Sequence, residues 1–199
     1  MFRYLTALFV ATLILAPRSY STPPALAATE DWPQMGDDIV GTSSNTETGK
    51  SVAISDDGSI IAVGSWEFTA PGPGSVRVYE LSSGSWTQIG STLTGVANGD
   101  YFGQGLALSA DGLTLAVGAP FNGSSRGQVF VYTSDASATP HAWVPKGATL
   151  TGTANNVDFG FAVSLSDDGD TLAVGSLKES VFTGKVSIFT WDASASPPT

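Results

Sequence analysis

The 199-residue chain has no cysteine, a single histidine and only 8 lysines and arginines. Without cysteine it has neither a disulfide framework nor a thiolate nucleophile, so its stability must come from packing and sheet hydrogen bonds. The one histidine, His141, sits in the polar Thr139-Pro140-His141 connection with no visible partner or pocket. It reads as a surface loop residue, because a general base needs convergent neighbours. With 18 acidic residues and a net charge of −10, nucleic acid is a poor partner, since neutralising phosphates takes clustered Lys and Arg. Long apolar runs are also missing. The one at 5–16 is shorter than the roughly 20 residues that cross a bilayer, and no later stretch looks membrane-spanning. Neither a nucleophile elbow nor a phosphate loop is present, and an enzyme is not expected.

What the chain does contain is turn chemistry: 23 Gly and 11 Pro point to an all-β fold. Residues 1–27 read as an export signal, with Arg3 as the positive end, the apolar run behind it and Ala25-Leu26-Ala27 as a small-x-small site cleaved before Ala28. Removal of Arg3 and Arg18 takes the net charge to −12 and leaves a mature segment, 28–199, that is expected to be secreted or held at the cell surface.

Three units recur within that segment, at about 32–85, 86–142 and 143–199. Trp32, Gly36, Gly41, Gly49, Ser55, Gly58, Val63 and Gly64 reappear in the second unit at a constant offset of 54. The third repeats the second at a constant offset of 57, from Trp143 to Gly175. In the second unit the apolar runs of strand length are 104–109 (QGLALS), 113–119 (LTLAVGA), 128–133 (QVFVYT) and 142–147 (AWVPKG). Four strands per unit make a propeller blade. The first two runs are apolar at nearly every position, as expected for sheets covered on both faces. Between them stand Asp56-Asp57-Gly58, Ala110-Asp111-Gly112 and Asp167-Asp168-Gly169, which read as hairpin turns with the carboxylates as turn formers.

Phe102-Gly103 followed by Gly118-Ala119-Pro120 resembles the pair that names the FG-GAP repeat of integrin α-type propellers. The third unit keeps Phe159-Gly160 with Gly175-Ser176-Leu177, and the first has Thr48-Gly49 with Gly64-Ser65-Trp66. The resemblance implies an all-β partial β-propeller of about three four-stranded antiparallel blades, with FG on the innermost strand and Trp on the outermost. Residues 32–36 would then be a solitary outer strand, followed by two complete blades and three strands of another, with a fourth Trp near position 200. The Ca²⁺ loops of that family are not carried over, because one or two carboxylates on a tight turn cannot supply the 6 to 8 oxygens that Ca²⁺ prefers. Neither a metal nor another cofactor is expected. Glycoside hydrolysis would need two carboxyls about 5 to 10 Å apart across one sugar, and no feature singles out such a pair.

Closed propellers have about 4 to 8 blades, so three should not close alone. Further repeats beyond this chain would complete the ring. Alternatively a homodimer would form six blades, with the Trp32 strand of one chain completing the third blade of the other, or the array stays open. Function would reside in loops. Trp66 and Phe68 in one Pro/Gly-rich loop, and Phe121 in the matching loop of the second unit, are the candidate contact residues. Asn122 opens the one N-x-S/T sequon, a candidate glycosylation site. The expectation is a non-enzymatic adhesion or recognition module for an extracellular protein or glycan. The alternative is a structural repeat segment of a larger surface or cell-wall protein, and a carbohydrate-active enzyme ranks below both.

Overall fold

The computed structural model describes residues 32–42, 46–66, 72–139, 141–179 and 183–194. The expected export signal and Phe68 lie outside the described residues. Two compact units divide the chain after Pro33. In the first, Trp32 and Pro33 carry no strand and Trp32 is 98 % exposed. All strands among the described residues belong to the second.

The protein is an all-β partial propeller of three antiparallel blades. Blade 1 comprises β1 (Ser51–Ile54), β2 (Ile60–Ser65), β3 (Ser75–Ser82) and β4 (Ser85–Thr94) in that spatial order. Blade 2 comprises β5 (Gly105–Leu108), β6 (Thr114–Ala119), β7 (Gln128–Asp135) and β8 (Ala142–Pro145), with the short β9 (Leu150–Thr151) also pairing with β7. Among the described residues blade 3 has three strands: β10 (Phe159–Leu165), β11 (Thr171–Ser176) and β12 (Lys185–Thr190). The expected outer strand over 32–36 is not formed. A strand needs a pairing neighbour, and there the Met35 carbonyl instead accepts the indole N–H of Trp86 at 3.0 Å.

Two apolar layers hold the blades together. Alternation along β6 sends Leu115, Val117 and Ala119 toward blade 1, where they meet Ala62, Val76 and Val78. The opposite face sends Ala116 and, from β7, Val129 against Phe159, Leu172 and Val174 of blade 3. Each fully buried Val, Leu or Phe side chain among these contributes about 1.5–3 kcal/mol. β6 must therefore be apolar on both faces, which is why its sequence, TLAVGA, does not alternate.

The glycine of the GAP strand has a definite task. A Cβ on Gly118 would collide with the Gly160 carbonyl of the next blade, and one on Gly64 would come 2.7 Å from the Gly103 carbonyl. The FG turns of blades 2 and 3 thus press their backbone against the GAP strand of the blade before. Ser51 Oγ donates to the Gly103 carbonyl across the first of these junctions.

The hairpins between the first two strands are built alike. Ser55, Ser109 and Ser166 donate to Asp57, Asp111 and Asp168 at 2.7, 2.6 and 2.5 Å. Each serine oxygen also accepts a backbone N–H five residues on, from Ile60, Thr114 and Thr171, at 2.9 Å. The carboxylates in turn accept the N–H groups of Ser59, Leu113 and Asp170 at 2.9, 2.9 and 3.0 Å. Their acceptor capacity is directed into the turns.

Candidate functional site

The loops that carry the candidate contact residues are positioned by a repeated backbone device at the FG end of the blades. Glu47, Tyr101 and Asp158 occupy equivalent places just before the FG turns, and all three are left-handed, with φ of 37, 52 and 53°. Each carbonyl accepts an N–H three residues on, from Lys50, Gln104 and Phe161, at 3.2, 3.0 and 3.3 Å. Backbone bonds from Gly49 to the Gly64 carbonyl and from Gly103 to the Gly118 carbonyl, at 3.1 and 3.0 Å, then tie the first two of these turns to the GAP end of their own blades.

This arrangement joins the two candidate aromatics through a third. The Tyr101 ring lies 4.4 Å from Trp66, tilted by 47°, and 4.9 Å from Phe121, edge to face at 80°. Trp66 comes from blade 1, Tyr101 and Phe121 from blade 2. Lysines close the row at either end: Lys50 Nζ stands 4.6 Å over Trp66, and Lys178 of blade 3 stands 5.9 Å from Phe121. Every blade therefore contributes to one strip, Lys50-Trp66-Tyr101-Phe121-Lys178. Both lysines are also in ion pairs, Lys50 with Glu47 at 3.0 Å and Lys178 with Asp158 at 2.9 Å.

Accessibility along the strip is uneven. Trp66, expected as a contact residue in a Pro/Gly-rich loop, is only 9 % exposed because Tyr101 covers one side of its ring and Lys50 another. Its indole N–H is buried and has no hydrogen-bond partner among the described residues. Tyr101 and Phe121 are half-buried and present the accessible part of the strip. Beside Trp66 lies a pocket of about 180 Å³ lined by Ser65, Pro73, Arg77 and Thr94. Asn122 is half-buried, and its amide donates to Asp100 at 2.8 Å, a carboxylate that also accepts the Ala97 N–H at 2.9 Å.

Sequence reasoning passed over Tyr101, Lys50 and Lys178. Tyr101 sits directly before Phe102-Gly103, and its place in the repeat was the available signal.

His141 is half-buried beside Trp143, with its Nε2 2.8 Å from Ser134 Oγ. The neighbouring Asp135 accepts the Ser137 hydroxyl at 2.6 Å and the Ser137 N–H at 3.0 Å. Its carboxylate is held below the ordinary range first by the Ser137 hydroxyl and backbone N–H, with His141 the smallest contributor. Among the described residues no three His, Asp or Glu side chains gather as a metal site requires, and no helix is long and apolar enough to cross a membrane.

No family model matches the sequence, and no curated protein does. Among solved structures, TolB from Acinetobacter baumannii is similar at 15 % identity with a TM-score of 0.41, over 75 % of this chain and 31 % of that one. The chain thus spans under a third of that protein's length.

Proposed function

We propose that this chain is an exported, non-catalytic segment of an FG-GAP-like propeller that holds an extracellular protein or glycan on its FG-end loops, in adhesion or recognition. The observation that carries this reading is the continuous ring contact Trp66-Tyr101-Phe121, which crosses from one blade to the next and ends in a lysine on each side. Aromatic rings combine a large apolar area with few rotatable bonds, so ordering them on binding costs little. The flanking cations add hydrogen-bond donors for the hydroxyls of a sugar or the carboxylates of a protein. The FG and GAP glycines, which fit blade against blade, support the family assignment, and the signal-like segment 1–27 supports export.

The test is direct binding of the full chain to a glycan array and to an extracellular protein fraction, alongside Phe121→Ser. Phe121 is only half-buried, so the variant is expected to keep its circular dichroism while losing at least about tenfold in affinity, as hot-spot aromatics do. Equal binding by the variant, or no binding by the parent chain in either assay, overturns the proposal.

A further inference from the structure

Blade 3 ends in an open edge: among the described residues, β12 has no partner strand on the side away from β11. We propose that residues 32–36 of a second copy of this chain pair with β12 and complete the blade, joining the copies head to tail.

The occupant is identified by the chain's own repeat. Trp32-Pro33-Gln34-Met35-Gly36 matches Trp86-Thr87-Gln88-Ile89-Gly90, the segment of β4 that completes blade 1, with Met in place of Ile and Pro in place of Thr. A proline is tolerated on an outermost strand, and β8 already carries Pro145 there.

Met35 and Gly36 also make the inner half of the contact that such a strand makes. The Ile89 carbonyl accepts the Trp143 indole N–H of the next blade at 3.4 Å, and the Met35 carbonyl accepts that of Trp86 at 3.0 Å. A Cβ on Gly90 would come 2.8 Å from Trp143 Cδ1, and one on Gly36 would come 3.1 Å from Trp86 Cδ1. Met35 and Gly36 therefore stand before blade 1 as the outer strand of a preceding blade would.

The receiving side is shaped for the remainder. Gly147 is the next glycine in the Gly36, Gly90 series, and its Trp would come from a fourth strand of blade 3, which has three among the described residues. Trp191, at the end of β12, reaches Gly147 instead with the edge of its six-membered ring: a Cβ there would lie 2.6 Å from Trp191 Cζ3. Beside Trp191 a pocket of about 190 Å³ remains, walled by Val131, Leu150, Leu172 and Phe189. The incoming Trp32, 98 % exposed in the single chain, is the counterpart of Trp143 for this slot.

The open faces agree with the same direction of assembly. Val186 and Ile188 on blade 3 are 68 and 62 % exposed, whereas their equivalents Val76 and Val78 are buried against blade 2. At the other end, Val52 and Ile54 of blade 1 are exposed, whereas their equivalents Leu106 and Leu108 pack onto blade 1. Head-to-tail docking covers both faces and the strand edge at once, and two copies close a six-bladed ring with cyclic symmetry.

In β3 and β4, Val78 pairs with Ile89, so the register predicted across the copies sets Ile188 opposite Met35. Directly opposed antiparallel residues have Cα atoms about 4.5–5.5 Å apart, within disulfide reach. The full chain is expected to scatter with twice the mass of one chain at micromolar concentration. Because the chain has no native cysteine, an oxidised equimolar mixture of Met35→Cys and Ile188→Cys is expected to give a covalent dimer that neither variant gives alone. Trp32→Ala, which is exposed in the single chain and cannot unfold it by leaving a core, is expected to weaken the dimer at least about tenfold. A single-chain mass at every concentration overturns the proposal, and so does a dimer that neither cross-links in the mixture nor responds to Trp32→Ala. These readouts are independent of the FG-end strip and of any ligand held there.

Discussion

The Tyr101 ring stands 4.4 Å from the Trp66 ring of the neighbouring blade, and it does so from a backbone position with φ of 52°. An L-residue in that left-handed region gives up about 1–2 kcal/mol, so the contact is made against a local backbone cost. Replacing the ring removes two aromatic contacts, each contributing about 0.5–1.5 kcal/mol beyond its buried area. Tyr101→Ala loses the ring and keeps the cost, whereas Tyr101→Gly loses the ring and relieves it. Urea unfolding is therefore expected to rank the parent chain first, Tyr101→Gly second and Tyr101→Ala last, with about 1 kcal/mol between the two variants. If the two variants unfold together, the left-handed residue carries no cost here.

The seat of Trp143 on Gly90 can be separated from the conformational demand of a positive φ. Gly90 has φ of 72° and would place a Cβ 2.8 Å from the indole, whereas Gly84, with φ of 81°, has nothing within 4 Å of its Cβ position. Gly84→Ala is expected to cost only the backbone term, about 1 kcal/mol. Gly90→Ala should cost about 2–3 kcal/mol, because Trp143 is buried and has to move off the Ile89 carbonyl. The two denaturation midpoints give the comparison, and equal losses would mean that the indole yields without cost.

Much of this architecture was legible from the sequence because the repeat spacing tracks the blade spacing. The 104–109 and 113–119 runs became β5 and β6, trimmed by a residue or two at their ends, and the Asp-Gly turns fell where Asp57, Asp111 and Asp168 stand. The outer strand at 32–36 failed because strand pattern is necessary but pairing is what makes a strand, and among the described residues no strand pairs with it. The fourth Trp expected near position 200 lies outside the described residues. Trp191 ends the third strand of its blade rather than opening a fourth, yet it reaches the same kind of glycine. The aromatic strip was half legible: Trp66 and Phe121 stood out as loop aromatics, but their link, Tyr101, lies in the neighbouring FG turn and is brought to them only by blade-on-blade packing.

Acid should reach the hairpin turns before it reaches the core. The Asp57 carboxyl is held below the ordinary carboxylate range first by the Ser59 N–H, then by the hydroxyls of Ser55 and Ser59. Asp168 is held down first by the Ser166 hydroxyl, then by the Asp170 N–H. A depressed folded-state value contributes stability that is fully present above the unfolded value of about 3.9 and is lost as pH falls through the folded one. The thermal midpoint is expected to change little through these groups between about pH 7 and pH 5, and to drop below about pH 4. Asn keeps an acceptor oxygen without the titration, so Asp57→Asn combined with Asp168→Asn should flatten that acid limb. An unchanged limb in the double variant would show that other carboxylates govern acid unfolding.

Asp158 is the one fully buried carboxylate among the described residues with an oxygen left unpaired, and its other oxygen depends on Lys178 at 2.9 Å. Removing the lysine leaves a buried charge with no counter-charge, which costs about 3–5 kcal/mol where both partners are buried. Lys178 is 39 % exposed, so solvent already screens the pair and the expected loss is nearer 2 kcal/mol. Lys178→Met is the informative variant, because its unbranched stem can still lie beside Phe121 while the charge is gone. Asp158→Asn in that background removes the stranded charge and is expected to recover about half of the loss or more, a coupling that a double-mutant cycle of unfolding free energies reads directly. If the two substitutions simply add, the ion pair does not hold Asp158 in its left-handed turn, and Lys178 contributes to the strip only through Phe121.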